Sequence, residues 1–96
     1  MFVKTTRYQL KKDSMAKFRE LSESARGRVA SLDGLLYDFV AMDDTGRAVV
    51  VGVWESSEKA RDSTQTVKAI WADVMEHVEG QLEMDEYPNA LQLKGS

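Results

Sequence analysis

The sequence predicts an α+β fold of the ferredoxin-like type, βαββαβ, with two helices on one face of an antiparallel sheet. The first observation is length, because 96 residues suffice for one hydrophobic core. The second is periodicity, since apolar residues alternate in some stretches and recur every three or four positions in others. The third is the order of these stretches, which matches a split pair of βαβ units. We therefore predict a single domain over residues 1–96.

The first part of the chain predicts a strand followed by a long helix. Residues 2–10 are rich in β-branched and aromatic side chains, which favour a strand. Over residues 14–32 the apolar positions form one helical face, and Asp13 is the predicted N-cap. Gly27 predicts irregular final turns, and Gly34 predicts the end of the segment.

The middle of the chain predicts a β-hairpin. Residues 35–42 and 47–54 are two apolar runs with the composition of strands. Between them lies Asp43-Asp44-Thr45-Gly46, in which the glycine can adopt the positive φ of a tight turn. A serine pair followed by Glu58 then predicts the start of a second helix.

The last part of the chain predicts a helix and a weaker strand. An apolar stripe runs from Ala60 to Val78 at helical spacing, and Gly80 predicts the end of the helix. Residues 82–93 form a weakly extended segment that Pro88 interrupts. Because proline cannot donate to a central ladder, this strand is expected at a sheet edge or bent at the proline.

Both faces of the two middle strands are apolar. One face of the second strand carries Tyr37 and Phe39, and the other carries Leu36 and Val40. Two helices can cover only one face, and wet Val and Leu side chains forfeit several kcal/mol at about 25 cal/mol per Å². A second copy of the same sheet would cover the other face with one self-complementary surface. We therefore expect a homodimer of the α+β barrel type.

Composition excludes several classes of function. The chain has no Cys and one His, which leaves no disulfide, no thiolate zinc site and no multi-histidine metal site within one chain. A net charge of −3 argues against nucleic-acid binding. No apolar run approaches the roughly 18 residues of a membrane span. We expect a cytoplasmic protein that holds no metal and no cofactor.

A motif at the predicted junction between the third strand and the second helix resembles a known family. Residues 53–60 are VWESSEKA, and a Gly34-Leu35 strand start and a hairpin precede them. This layout resembles the antibiotic-biosynthesis-monooxygenase-like members of the dimeric α+β barrel superfamily. The resemblance implies a pocket between the helices and the sheet of each subunit. It also implies activity on small molecules, such as cofactor-free oxidation of phenolic polyketides or quinols.

One branch of this family degrades haem, and the sequence departs from its pattern. That branch has an Asn on the first strand, and a Trp and a haem-ligating His on the second helix. The matching positions here are Thr6, Ser63 and Asp73. The resemblance therefore does not imply haem degradation. The pocket residues of the polyketide monooxygenases are also not matched position by position.

Two titratable residues are the candidate catalytic groups. His77 titrates near neutral pH and borders the apolar stripe of the second helix. It is either a general base that deprotonates a phenol or a structural residue near a helix C-terminus. Asp38 lies between two aromatic residues in a central strand, where an unpaired carboxylate is costly. It is a buried acid or base, a group facing solvent, or the ion-pair partner of Arg7, Arg47 or a second chain.

The candidate substrate-binding residues are aromatic or basic. Trp71 lies in the middle of the second helical stripe, as a wall for an aromatic ligand or as part of the core. Tyr8 and Tyr37 carry hydroxyls that can orient a carbonyl or a phenol. Arg7 interrupts the first strand and is a substrate contact or the counter-ion of Asp38.

Three kinds of function remain open on these residues. The first is a cofactor-free monooxygenase for a small aromatic or quinol-like substrate, with His77 or Asp38 as base and a dry aromatic pocket. The alternative is a non-catalytic or regulatory dimeric module that binds a small hydrophobic molecule. The third is an assembly domain whose own side chains fill the pocket.

Overall fold

The computed structural model describes residues 1–95, so that Ser96 of the predicted domain lies outside the described part. Its elements follow in this order: β1 (Phe2–Leu10), α1 (Met15–Ser24), α2 (Arg26–Ala30), β2 (Leu35–Met42), β3 (Arg47–Trp54), α3 (Ser57–Asp62), α4 (Thr64–Ala72), a 3-10 turn (Met75–His77) and β4 (Val78–Tyr87). The strands form one sheet in the order β2-β3-β1-β4, with every neighbouring pair antiparallel. This arrangement confirms the ferredoxin-like prediction.

Two local signals of the sequence act as predicted. In the hairpin between β2 and β3, Asp43 Oδ1 accepts hydrogen bonds from the backbone N–H groups of Thr45 at 2.9 Å and Arg47 at 3.1 Å. Gly46 adopts a φ of +87°, which its missing side chain permits. At the start of α3, Ser56 Oγ accepts from the backbone N–H of Lys59 at 3.1 Å and caps the helix.

Both predicted helices are interrupted. The first divides into α1 and α2 at Ala25, and the second divides into α3 and α4 at Ser63. The interruption at Ala25 precedes Gly27, which lies inside α2. Asp13 does not cap α1, because it adopts a φ of +66° in the preceding turn, and Ser14 directly precedes the helix.

The last strand begins and ends earlier than the sequence predicts. Gly80 does not end a helix but lies within β4 at a φ of +75°. Arg7 of β1 pairs with Glu83 of β4, but Gln9 pairs with Glu79, so the register shifts between these two positions. Gly80 lies within this β-bulge, where its positive φ is accommodated. β4 ends at Tyr87 because the next residue is a proline, which has no N–H for the ladder.

The hydrophobic core lies between the helices and the sheet. Its buried members are Tyr8, Leu10, Phe18, Ala48, Val74 and Val78, with Met15, Leu21, Met42, Val50, Trp71 and Leu82 packed against them. The β1 residues in this set alternate with Gln9, so only one face of the strand enters the core. The helices therefore cover one face of the sheet, as the sequence predicts.

Candidate functional site

The sheet has two surfaces, which the strand register defines. The helix-facing side comprises Thr6, Tyr8 and Leu10 of β1, Asp38, Val40 and Met42 of β2, and Ala48, Val50, Gly52 and Trp54 of β3. The open face comprises Arg7 of β1, Tyr37, Phe39 and Ala41 of β2, Val49, Val51 and Val53 of β3, and Glu83 and Asp85 of β4. The predicted site residues therefore divide between the two surfaces.

Tyr8 lies at the centre of an aromatic cluster on the helix-facing side. Its ring centroid is 5.5 Å from that of Phe18 on α1 and 5.3 Å from that of Trp71 on α4. The residue is 5% exposed, and its Oη is buried without a hydrogen-bond partner among residues 1–95. Burial raises the pKa of Tyr8, and the nearby charge of Asp38 raises this pKa further. Tyr8 therefore stays protonated and can donate a hydrogen bond.

Asp38 is a carboxyl on the helix-facing side of β2, directly opposite Gly52 of β3. The residue is exposed, although neighbouring groups partly desolvate its carboxyl. This desolvation raises the pKa of Asp38 to about 6. Within the described residues the carboxyl makes no hydrogen bond and no ion pair. An unpaired carboxyl with this pKa can take up a proton near neutral pH.

Gly52 lies directly beneath the side chains of Trp54 and Asp38, where little space remains for a side chain of its own. A Cβ built on Gly52 would lie 3.2 Å from Trp54 Nε1 and 3.5 Å from Asp38 Oδ1. It would also lie 3.8 Å from Leu35 Cδ1. Leu35 reaches this side because β2 and β3 shift register between Leu35 and Tyr37, whereas strict alternation predicts Leu36 there. The absence of a side chain at Gly52 thus lets the Trp54 indole, the Asp38 carboxyl and Leu35 come close together over the sheet.

A groove runs between α1 and the edge strand β2. Its volume is about 540 Å³, and it is lined by Arg19, Ser22, Glu23, Val40, Ala41 and Met42. Val40 and Met42 are in the same inward row of β2 as Asp38, since residues two apart face one side. The helices therefore leave the β2 end of the helix-facing side accessible from the sheet edge.

His77 lies at the other end of the sheet. Its Nδ1 is 3.3 Å from Ser14 Oγ, and its backbone C=O accepts from the N–H of Lys11 at 2.8 Å. Nε2 is buried without a hydrogen-bond partner in the described part of the chain, although Glu76 Oε1 is 3.6 Å away. His77 lies at the Leu10 end of β1, because the next residue, Val78, pairs with Leu10. Asp38 lies at the level of Lys4, because both residues pair with Gly52. Six residues of β1 put the two groups roughly 20 Å apart along the strand.

Arg7 and Tyr37 lie on the open face, away from Asp38. Arg7 Nη2 is 3.0 Å from Glu83 Oε2 and 3.3 Å from Asp85 Oδ2. It is therefore not the counter-ion of Asp38, because the two side chains are on opposite faces of the sheet. The ring of Tyr37 stacks on that of Phe39 at a centroid distance of 6.5 Å.

A second concavity lies on the open face. Its volume is about 720 Å³, and its lining includes Arg7, Gln9, Ala41, Arg47 and Glu83. No group of three or more His, Asp or Glu among residues 1–95 is arranged to hold a metal ion. No helix in the described part of the chain is long and apolar enough to cross a membrane.

The junction that carried the sequence resemblance has a structural role. The backbone N–H of Glu55 donates to the C=O of Gly34 at 2.8 Å. Lys59 Nζ donates to Asp33 Oδ2 at 2.6 Å, and its side chain covers Gly34. These contacts join the start of β2 to the start of α3. The motif thus fixes the end of the sheet at which Trp54 and Asp38 are found.

A comparison with models of protein families shows to which family this chain belongs. The family model described as antibiotic biosynthesis monooxygenase matches residues 1–79. This chain belongs to the antibiotic biosynthesis monooxygenase family. The match confirms the resemblance that residues 53–60 suggest. A search of curated protein sequences finds no match.

Several solved structures share the fold of this chain at low sequence identity. A Nitrosomonas europaea protein named after the same family superimposes with a TM-score of 0.81 at 18% identity, covering 95% of this chain and 100% of that chain. A conserved protein from Methanosarcina mazei Go1 gives 0.80 at 14% identity, with 94% of each chain covered. A single-residue mutant of SnoaB, a cofactor-independent oxygenase from Streptomyces nogalater, gives 0.79 at 11% identity, covering 98% of this chain and 97% of that chain.

Sequence reasoning identified Tyr8, Asp38 and Trp71, which the structure brings to one side of the sheet. It named neither Gly52 nor Trp54 as a site residue. A signal for Gly52 was available. A glycine inside an otherwise valine-rich strand often marks a close approach of another group.

Proposed function

We propose that this protein is a cofactor-independent monooxygenase, an oxidoreductase that oxidises a small aromatic or quinol-like substrate on the helix-facing side of its sheet. The observation that carries the proposal is Asp38, an unpaired carboxyl in partly apolar surroundings with a pKa of about 6. Membership of the monooxygenase family supports it, and so does the likeness to a cofactor-independent oxygenase. Asp38 is the proposed base.

The proposed reaction needs a base and dioxygen. Asp38 takes a proton from the substrate, and the resulting anion gives one electron to O₂. The substrate radical and superoxide combine, and the proton returned by Asp38 gives a hydroperoxide. Loss of water then leaves a carbonyl. For an activated methylene group the sum is CH₂ + O₂ → C=O + H₂O, so that O₂ is the only oxidant.

The other groups of the site have supporting roles in this proposal. Tyr8 and Trp71 form an aromatic wall, and the Tyr8 hydroxyl is a hydrogen-bond donor inside it. Apolar walls exclude water and strengthen the electrostatic interactions of the substrate anion. His77 is the weaker candidate for the base, because it lies at the opposite end of the strands from Asp38.

The open face supports a homodimer as the working form. Phe39 is 60% exposed there and Tyr37 is 39% exposed, and the partly buried valines of β3 adjoin them. No helix among residues 1–95 covers this face. A second copy would bury the same apolar surface on both chains. Arg7 and Tyr37 then belong to the dimer contact and not to the substrate site.

The proposed function is tested by oxygen uptake. Dithranol, a dihydroxyanthrone with an activated methylene group, serves as the first substrate, and a simple benzoquinol serves as the second. Wild-type protein should consume O₂ faster than the protein-free solution. Asp38→Asn should lower the enzyme-dependent rate by roughly 10²–10⁴-fold, the usual contribution of a general base.

The matched control is Asp44→Asn, which removes an exposed carboxyl in the hairpin and should leave the rate unchanged. Thermal melts of all three proteins exclude loss of fold as the cause. Full activity of Asp38→Asn would exclude Asp38 as base. Binding of the substrates without any oxygen uptake would favour the non-catalytic binding module.

A further inference from the structure

We draw no further inference here: the strongest candidate, the concavity of about 720 Å³ on the open face that Arg7, Arg47 and Glu79 help to line, belongs to the face already proposed as the dimer contact, and nothing in the structure shows what covers it.

Discussion

The two faces of the sheet carry the same kinds of side chain in opposite situations. Phe18, packed on the helix-facing side, is 2% exposed, whereas Phe39 on the open face is 60% exposed. The polar side chains show the opposite pattern, because they are paired on the open face and, among the described residues, unpaired on the helix-facing side. On the open face Arg7 is paired with two carboxylates, whereas Asp38 and the Tyr8 hydroxyl have no partners among residues 1–95. The comparison supports the two proposals, that the open face forms the dimer contact and that the helix-facing side carries the ligand chemistry.

The largest effect is expected from a charge placed on the open face. Phe39→Glu removes an aromatic contact twice in a twofold dimer, which is worth about 3–6 kcal/mol, twice the value of one buried phenylalanine. The dimer dissociation constant should therefore rise by roughly two to four orders of magnitude. Analytical ultracentrifugation over a dilution series measures it.

Ala16→Glu, an exposed position on α1, is the control for Phe39→Glu and should leave association unchanged. A wild-type chain that sediments as a monomer at every concentration would contradict the proposed homodimer. The fold itself would be unaffected by that result.

The next largest effect is a difference between Phe18→Ala and Phe39→Ala in the free energy of unfolding. Phe18→Ala empties a position in the core and should lower the free energy of unfolding by about 3–5 kcal/mol. Phe39→Ala should change the stability of the dissociated chain by much less, because its side chain is exposed there. Urea unfolding at protein concentrations below the dimer dissociation constant measures both. Equal losses would contradict the distinction between the two faces.

The smallest effect is a dependence of stability on pH. The pKa of Asp38 is about 6 in the folded chain and about 3.9 when unfolded, so the folded state binds the proton more tightly. The corresponding stability is complete below about pH 4 and is lost as the pH rises through about 6. Urea unfolding should show Asp38→Asn gaining on the wild type over this interval. A constant difference would mean that Asp38 titrates normally.

Much of the fold follows from local patterns in the sequence. The hairpin at Asp43 to Gly46 and the cap at Ser56 depend on nearby residues, and both were predictable. Gly80 was assigned to a helix end because a glycine after an apolar stripe is ambiguous by itself. Its place in β4 depends on the pairing with β1, which no local pattern determines.

The candidate site was predictable in its residue types and less so in its geometry. Asp38 was conspicuous as a carboxylate among apolar residues. Arg7 was a reasonable partner in sequence, but its face depends on the alternation in β1, which puts Thr6 and Tyr8 under the helices. The register shift after Leu35 also changed which leucine accompanies Asp38. Such relations between strands need three-dimensional information.

The position of Asp38 on β2 has a consequence for solubility. β2 is an edge strand, so its outer backbone N–H and C=O groups are open to pairing with another chain. A charge that faces inward on an edge strand opposes such pairing, because an added sheet would have to bury it. The carboxylate that is proposed to accept a proton therefore also protects this edge from fibrillar aggregation, and acidification through pH 6 removes that protection.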